Sequence, residues 1–330
     1  MAMPRNERGK RFEILERDVQ DILSTDPVLR TLPINAAYPV SGGVAHRVYC
    51  IDSNRQKFYL KIRGDHFAAI PSISCNPADI TNEYEAIRKF SRAAPEHFPH
   101  IVTFNPERHY LAVTDVVGDG QKLEDVLARG EKPDGLFTIY GQTLSAIQRV
   151  TASIREPVRP GGDEEYYRTV LGHRFGYRRH PVLDAAVEKL GTLPHRQLIM
   201  ADPAPKNMGI RKKNTRLTFF DLETAHQGNP EFDYAYGLAH TLLHTMPRVD
   251  DMQTATMQFL EGYGPTWYDQ KLVTELTLGI ILYRLHSIVP YPVALSSSEK
   301  QRLELHLGSM LHDISGKESW QEIVERITKL

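Results

Sequence analysis

Apolar positions recur at helical spacing near the start of the chain, at Phe12, Leu15, Val19 and Leu23, and predict an amphipathic helix over residues 7–24. Pro27, Pro33 and Pro39 then break the chain into extended pieces. From Tyr38 to Ile62 the pattern changes. The runs 44–51 and 57–62 carry β-branched and aromatic residues around Asp52-Ser53-Asn54, a hairpin signal. A charged helix is predicted over 80–92, and short strands over 101–104 and 111–116. After Gly118 and Gly120 the spacing turns helical, over 123–129, 136–151 and 164–177. Short apolar runs at 198–200, 208–210 and 217–220 sit among loops. From Phe232 onward four or five helices are predicted, one with a buried face at Leu272, Leu276, Ile280, Leu282 and Tyr283. A strand-rich first third thus meets a helix-rich remainder near 117–121. That predicts an α+β chain of two lobes, residues 1–117 and 118–330.

Composition narrows the function classes. The chain has 330 residues, 41% hydrophobic and 25% charged, which is ordinary for a globular protein. Its 40 basic and 41 acidic residues leave a formal net charge of -1, so no global field draws in nucleic acid or an anionic membrane. Cys50 and Cys75 have no CxxC or Cys/His partner at zinc spacing, and they read as reduced thiols. The first residues are charged and lack an apolar core, so no secretory signal peptide is expected there. The most apolar stretch, 276–293, is interrupted by Tyr283, Arg284, His286 and Pro290 and does not read as a membrane span. These features predict a cytoplasmic protein.

The chemistry concentrates in Leu198-Ile-Met-Ala-Asp-Pro-Ala-Pro-Lys-Asn-Met-Gly-Ile210. An apolar run delivers Asp202. A loop stiffened by Pro203 and Pro205 follows, and Asn207 precedes a second apolar run. A turn at Lys212-Lys213-Asn214 leads back through Leu217-Thr-Phe-Phe220 to Asp221. A strand-turn-strand unit of this kind brings Asn207 and Asp221 together. A carboxylate and an amide oxygen are hard ligands suited to Mg²⁺. Asp202 is then placed to orient a hydroxyl and accept its proton, the division of labour that phosphoryl transfer requires. Taken singly, each of these residues also fits a solvated loop.

This stretch, continued by Phe220-Asp221-Leu-Glu223 and Gly228-Asn-Pro230-Glu-Phe-Asp233-Tyr-Ala235, resembles the catalytic core of the aminoglycoside phosphotransferase and choline kinase superfamily. The family's His-Gly before the catalytic aspartate is Met200-Ala201 here, and the family histidine that ends the helix after the hinge, Tyr140-Gly-Gln-Thr-Leu-Ser-Ala-Ile-Gln-Arg149 here, is Gln148. The resemblance spans about residues 38–240. It implies a two-lobed protein-kinase-like fold: an N-lobe antiparallel sheet with a helix, and a larger, mainly helical C-lobe. It implies ATP and Mg²⁺ as cofactors, with Asp202 catalytic and Asn207 and Asp221 on the metal. Asp233 would start a helix and brace the catalytic loop.

The same resemblance makes demands on the first third. A glycine-containing turn over the phosphates is offered by Ser41, Gly42 and Gly43, whose backbone can approach a ligand closely. Lys61 lies in the apolar run Phe58-Tyr-Leu-Lys-Ile62, where burial demands an opposite charge; an outward lysine on an edge strand is the plainer alternative. Glu83 is its expected partner, with Glu85 on another helix face. Val113 would sit behind the adenine, and the backbone of Asp115 and Val116 would bond its edge. The acceptor is expected to be a small-molecule hydroxyl compound, first an antibiotic or amino sugar, next choline, homoserine or a thio-sugar. Asp250, Asp251, Glu261, Asp269 and Glu275 are mixed with basic residues and read as solvated helix faces. Glu223 fits a second metal, the acceptor or a plain surface site equally. A pseudokinase that binds nucleotide and regulates a partner is the competing class.

Overall fold

Alternation along the strands decides the first of two units. The computed structural model describes residues 16–40, 43–54, 56–131, 134–176, 180–211, 216–246, 249–287 and 295–329. The chain divides into Met1–Gly118 and Asp119–Leu330. In the first unit, helix α1 (Arg17–Thr25) is followed by β1 (Ile34–Val40), β2 (Arg47–Ser53), β3 (Lys57–Ile62), α2 (Ile80–Ala93), β4 (Ile101–Asn105) and β5 (Tyr110–Thr114). The strands form an antiparallel sheet in the order β1-β2-β3-β5-β4. Phe58, Leu60 and Ile62 alternate into a core with Val19, Ile22 and Leu23 of α1 and Ile51 of β2. Lys61, between them, is thereby turned to the opposite face.

One expectation needs adjustment here. Within the described residues α1 runs from Arg17, and positions 7–15 of the predicted helix, with Phe12 and Leu15, lie outside them. Pro39 does not interrupt the fold but sits inside β1, opposite Tyr49. An edge strand leaves alternate N–H groups unpaired, so it tolerates a proline.

In the second unit the order is β6 (Gln121–Lys122), α3 (Leu123–Ala128), α4 (Leu136–Thr151), α5 (Glu164–Phe175), α6 (Pro181–Thr192), β7 (Gln197–Ile199), β8 (Met208–Ile210), β9 (Leu217–Phe219), β10 (His226–Gly228) and α7 (Pro230–Thr245). Then come α8 (Val249–Tyr263), α9 (Gln270–His286), α10 (Ser297–Asp313) and α11 (Trp320–Thr328). The strands pair as β6-β8-β9 and β7-β10. Neither α6 nor β10 is predicted above, although Pro181 at the first helical position, with Leu183, Ala186 and Leu190, is a legible helix signal.

Helices α4 and α8 cross at glycine. A Cβ on Gly141 would lie 2.2 Å from the Phe259 carbonyl oxygen, and one on Gly262 would lie 2.0 Å from that of Thr138. Only glycine allows so close an approach. Helix α9 is buried continuously from Leu272 to Leu285, not along one stripe, because α5, α6, α7 and α10 surround it. Among the described residues no helix is long and apolar enough to cross a membrane.

Asp26, at the end of α1, ties that helix to the sheet. Its Oδ1 accepts the N–H groups of Val28 and Leu29, each at 2.9 Å. Its Oδ2 accepts the Tyr110 hydroxyl at 2.6 Å and the Thr103 hydroxyl at 3.0 Å. Burial pushes this carboxyl up, but the bonds from Tyr110, Leu29, Val28 and Thr103 outweigh it and hold it below the ordinary value. Asp26→Ala orphans all four donors and is expected to cost about 2–4 kcal/mol in urea unfolding at neutral pH. A group with a lowered folded pKa stabilises above its unfolded pKa and loses that contribution in acid, so the gap between variant and wild type should narrow as pH falls. Equal unfolding midpoints at neutral pH would remove Asp26 from this role.

Candidate active site

Strand β7 is wholly buried and hands the chain to Met200, Ala201 and Asp202. The turn is made by Ala201, whose φ of 61° lies in the left-handed region. A residue with a Cβ pays about 1–2 kcal/mol there. The compensation is visible. Asp233, in the first turn of α7, accepts the Met200 N–H on Oδ2 and the Ala201 N–H on Oδ1, both at 2.8 Å. Thr224 donates to the Met200 carbonyl at 3.1 Å, and the Tyr140 hydroxyl of α4 donates to that of Pro203. Gln148 supports α7 from beneath, donating to the Pro230 carbonyl at 2.9 Å and accepting from the Tyr263 hydroxyl. The departures Met200-Ala201 therefore act through their backbone, and Gln148 has a bracing role.

Asp202 is 8% exposed and surrounded by cations. Arg284 of α9 donates to its Oδ1 at 2.8 Å, Lys206 lies 2.9 Å from its Oδ2, and Arg174 of α5 lies 3.9 Å from the same oxygen. Burial pushes this carboxyl up. Lys206, then Arg284 and Arg174, more than reverse that and hold it well below the usual carboxylate range. At an effective dielectric near 20, one such pair at 4 Å is worth about 4 kcal/mol, so two close cations can offset the burial. Arg284 also donates to the Tyr236 hydroxyl, and Arg174 donates to that of Tyr283 at 2.6 Å.

Asn207 and Asp221 meet as the strand-turn-strand pattern requires. Met208 of β8 pairs with Phe219 of β9, and the Phe220 N–H donates to the Asn207 carbonyl at 3.0 Å. Asp221 follows directly, with a φ of 64°, and is partly exposed. The predicted turn at Lys212-Lys213-Asn214 lies outside the described residues. Asn207 is 5% exposed, and its Nδ2 donates to the Asp202 carbonyl at 3.1 Å. That bond fixes the amide orientation and keeps Oδ1, the atom a hard cation would use, away from the Asp202 carbonyl.

In the first unit, Lys61 and Glu83 form the anticipated pair, Nζ to Oε1 at 2.5 Å, with Glu83 fully buried. His46 lies 3.7 Å from the other Glu83 oxygen and 3.2 Å from Arg63. Glu85 instead pairs with Arg88 and Lys89 on the helix face. Ser41 and Gly42 lie outside the described residues. Gly43 is confined: a Cβ there would lie 2.8 Å from the His46 carbonyl oxygen. Val113 is buried in β5. The Asp115 N–H is spent on the Lys57 carbonyl at 3.2 Å, and its side chain caps Val117 and Gly118. Of the Asp115 backbone, therefore, only the carbonyl is left for an adenine edge.

Sequence reasoning missed Arg174, Lys206 and Arg284. Lys206 stands four residues from Asp202 in the same loop, a readable proximity. Arg284 was visible only as an interruption of the most apolar stretch, where a charge needs a buried partner. Of the acidic residues noted near the C-terminal helices, Asp269 caps α9 by accepting the Leu272 N–H at 3.0 Å.

A sequence model described as the phosphotransferase enzyme family matches residues 37–270. The fold is similar to a choline/ethanolamine kinase family protein from Mesorhizobium loti, with a TM-score of 0.54 and 13% identity over 94% of this chain and 98% of that one. It is similar to a choline kinase from Streptococcus pneumoniae, at TM-score 0.54 and 12% identity over 90% and 100%. An aminoglycoside phosphotransferase solved with AMP-PNP and hygromycin B gives 0.52 and 13% over 92% and 100%. At these identities the likeness is one of fold. No curated protein matches the chain.

The brace carries a pH signature. Burial pushes Asp233 up to about 7, against the pull of its two N–H donors. A carboxyl with a raised folded pKa keeps a proton that the unfolded chain releases, so it costs stability as pH rises from its unfolded to its folded value. Wild type is therefore expected to lose about 1–3 kcal/mol relative to Asp233→Asn between about pH 4.5 and 7.5, measured by urea unfolding. A difference that stays flat over that range would mean the N–H donors keep Asp233 ionised throughout.

Proposed function

The chain belongs to the phosphotransferase enzyme family, and we propose that it moves the γ-phosphoryl group of ATP to a hydroxyl of a small molecule, with Asp202 as the base. The observation that carries this is the β8–β9 unit. It sets Asn207 and Asp221 side by side and ties Asn207 to the backbone of Asp202. Mg²⁺ fits this donor set, an amide oxygen and a carboxylate, both hard ligands. When bound, the ion would neutralise charge on the phosphates.

The remaining roles fall on residues of the first unit. Lys61, aimed by Glu83, would meet the nucleotide's phosphates. Gly43 offers backbone N–H without a side chain in the way. Val113 would back the adenine, with the Asp115 carbonyl and the Val116 backbone at its edge. A nucleotide donor is supported by the similar fold solved with AMP-PNP, and a small acceptor by the hygromycin B beside it. Cys50 and Cys75 form no disulfide, which fits a cytoplasmic protein.

Asp202 would orient the acceptor hydroxyl and receive its proton as the phosphoryl group moves in line. A nucleotide-binding regulator is the weaker reading. It would have no use for a buried Lys61–Glu83 pair together with Asp202, Asn207 and Asp221. Acceptors from an antibiotic or amino sugar to choline, homoserine or a thio-sugar share the hydroxyl this chemistry needs.

The test is acceptor-dependent ADP release. Asp202→Asn is expected to lower kcat by about 10²–10⁴-fold. Lys61→Met is expected to lower kcat/KM for ATP by about 100-fold, and chelation of Mg²⁺ to stop turnover. Full turnover by Asp202→Asn would sink the assignment. Nucleotide binding with no acceptor-dependent ADP release would favour the regulator.

A further inference from the structure

Three side-chain cations, Arg174, Lys206 and Arg284, surround the single carboxylate of Asp202. Both carboxylate oxygens are already engaged at short range, one by Arg284 and one by Lys206. Arg174 stands further off, at 3.9 Å, and is 8% exposed. Among the described residues Asp202 is the only carboxylate at ion-pair distance from Arg174. It also meets the Tyr283 hydroxyl at 2.6 Å and the rings of Tyr283 and Tyr236, 4.9 Å and 5.7 Å from the guanidinium, and it shares both rings with the cation Arg284. Its Nε is buried with no hydrogen-bond partner. A buried guanidinium with unspent donors is incompletely compensated.

The geometry points to an acceptor that carries its own acid group, a carboxylate or phosphate monoester, close to the hydroxyl that is phosphorylated. This rests on Asp202 facing the acceptor hydroxyl, as proposed above. Guanidinium recognises such oxyanions through parallel N–H donors, and Arg174 has donors to give. A polycationic acceptor would place its charge against Arg174, whose one carboxylate at ion-pair distance among the described residues is held more closely by Arg284 and Lys206. The imidazole of His173, 3.2 Å from the Tyr283 hydroxyl, adds no negative charge to offset them.

The reaction keeps the acid group unchanged. The acceptor O–H proton passes to Asp202, and the new bond forms between that oxygen and the γ-phosphorus. The bridging bond to the β-phosphate breaks, ADP leaves with its electron pair, and Asp202 returns the proton to solvent.

The experiment measures ADP release with three acceptor panels: hydroxy acids and sugar phosphates (glycerate, gluconate, glucose 6-phosphate), neutral polyols (glucose, inositol) and cations (choline, kanamycin). The best anionic acceptor is expected to exceed its neutral counterpart by at least about tenfold in kcat/KM. Arg174→Gln is then expected to raise KM for that acceptor by about 10–100-fold with a smaller change in kcat, and Arg174→Lys to restore part of the preference. Glucose 6-phosphate and gluconate distinguish phosphate from carboxylate as the recognised group.

Turnover of choline or kanamycin with no anionic preference overturns this inference and leaves the phosphotransferase reading standing. An anionic preference equally strong in Arg174→Gln overturns the role of Arg174. No ADP release from any panel, in protein that binds ATP, overturns the phosphotransferase reading together with the inference.

Discussion

Asp233 spends both carboxylate oxygens on two consecutive backbone N–H groups, those of Met200 and Ala201, each at 2.8 Å. Much of the second unit follows from this one contact. It holds Ala201 in a left-handed turn that an alanine would otherwise leave, and the turn aims Asp202. The carboxyl is almost fully buried, so the bonds must be made well or the burial is uncompensated. That explains the rigidity around it. Helix α7 enters through Pro230, Gln148 holds the Pro230 carbonyl, and Tyr140 holds that of Pro203. The loop is positioned by packed helices, not by its own flexibility.

The departures from the family's pattern become intelligible in these terms. Where glycine would adopt the left-handed turn freely, Ala201 carries a Cβ and relies on Asp233 to hold it. Where a histidine would stand, Met200 contributes a buried side chain and a backbone N–H. Gln148 keeps both a donor and an acceptor engaged between α4, α7 and the end of α8. Met200 and Ala201 act through backbone N–H groups and Gln148 through its amide side chain, and together these bonds hold the turn that carries Asp202.

Much of this was legible in the sequence, and the limits have physical causes. Strand alternation around Phe58, Leu60 and Ile62 left Lys61 open to an outward place on an edge strand, and the resemblance pointed to Glu83; β3 lies inside the sheet between β2 and β5, and the pair forms. The short apolar runs on either side of Asn207 and Asp221 forecast their pairing. Pro39 misled, because a local rule about proline cannot know that its strand will sit at a sheet edge. Arg174 and Arg284 were invisible as site residues. They lie 28 positions before and 82 after Asp202, on helices whose packing, not whose spacing, brings them to it. The helix-rich part of a chain announces its buried faces but not which charges will meet across them.

Those charges bear on the chemistry itself. A carboxylate held well below its usual range is a poor base, so Asp202 would be badly chosen for a reaction that must strip a proton early. Phosphoryl transfer through a loose transition state asks less. Bonding to the incoming oxygen is weak at the barrier, and the proton need move only as the new bond completes. Asp202 can then serve chiefly to hold the hydroxyl in line, and Arg284 and Lys206 keep it ionised for that task.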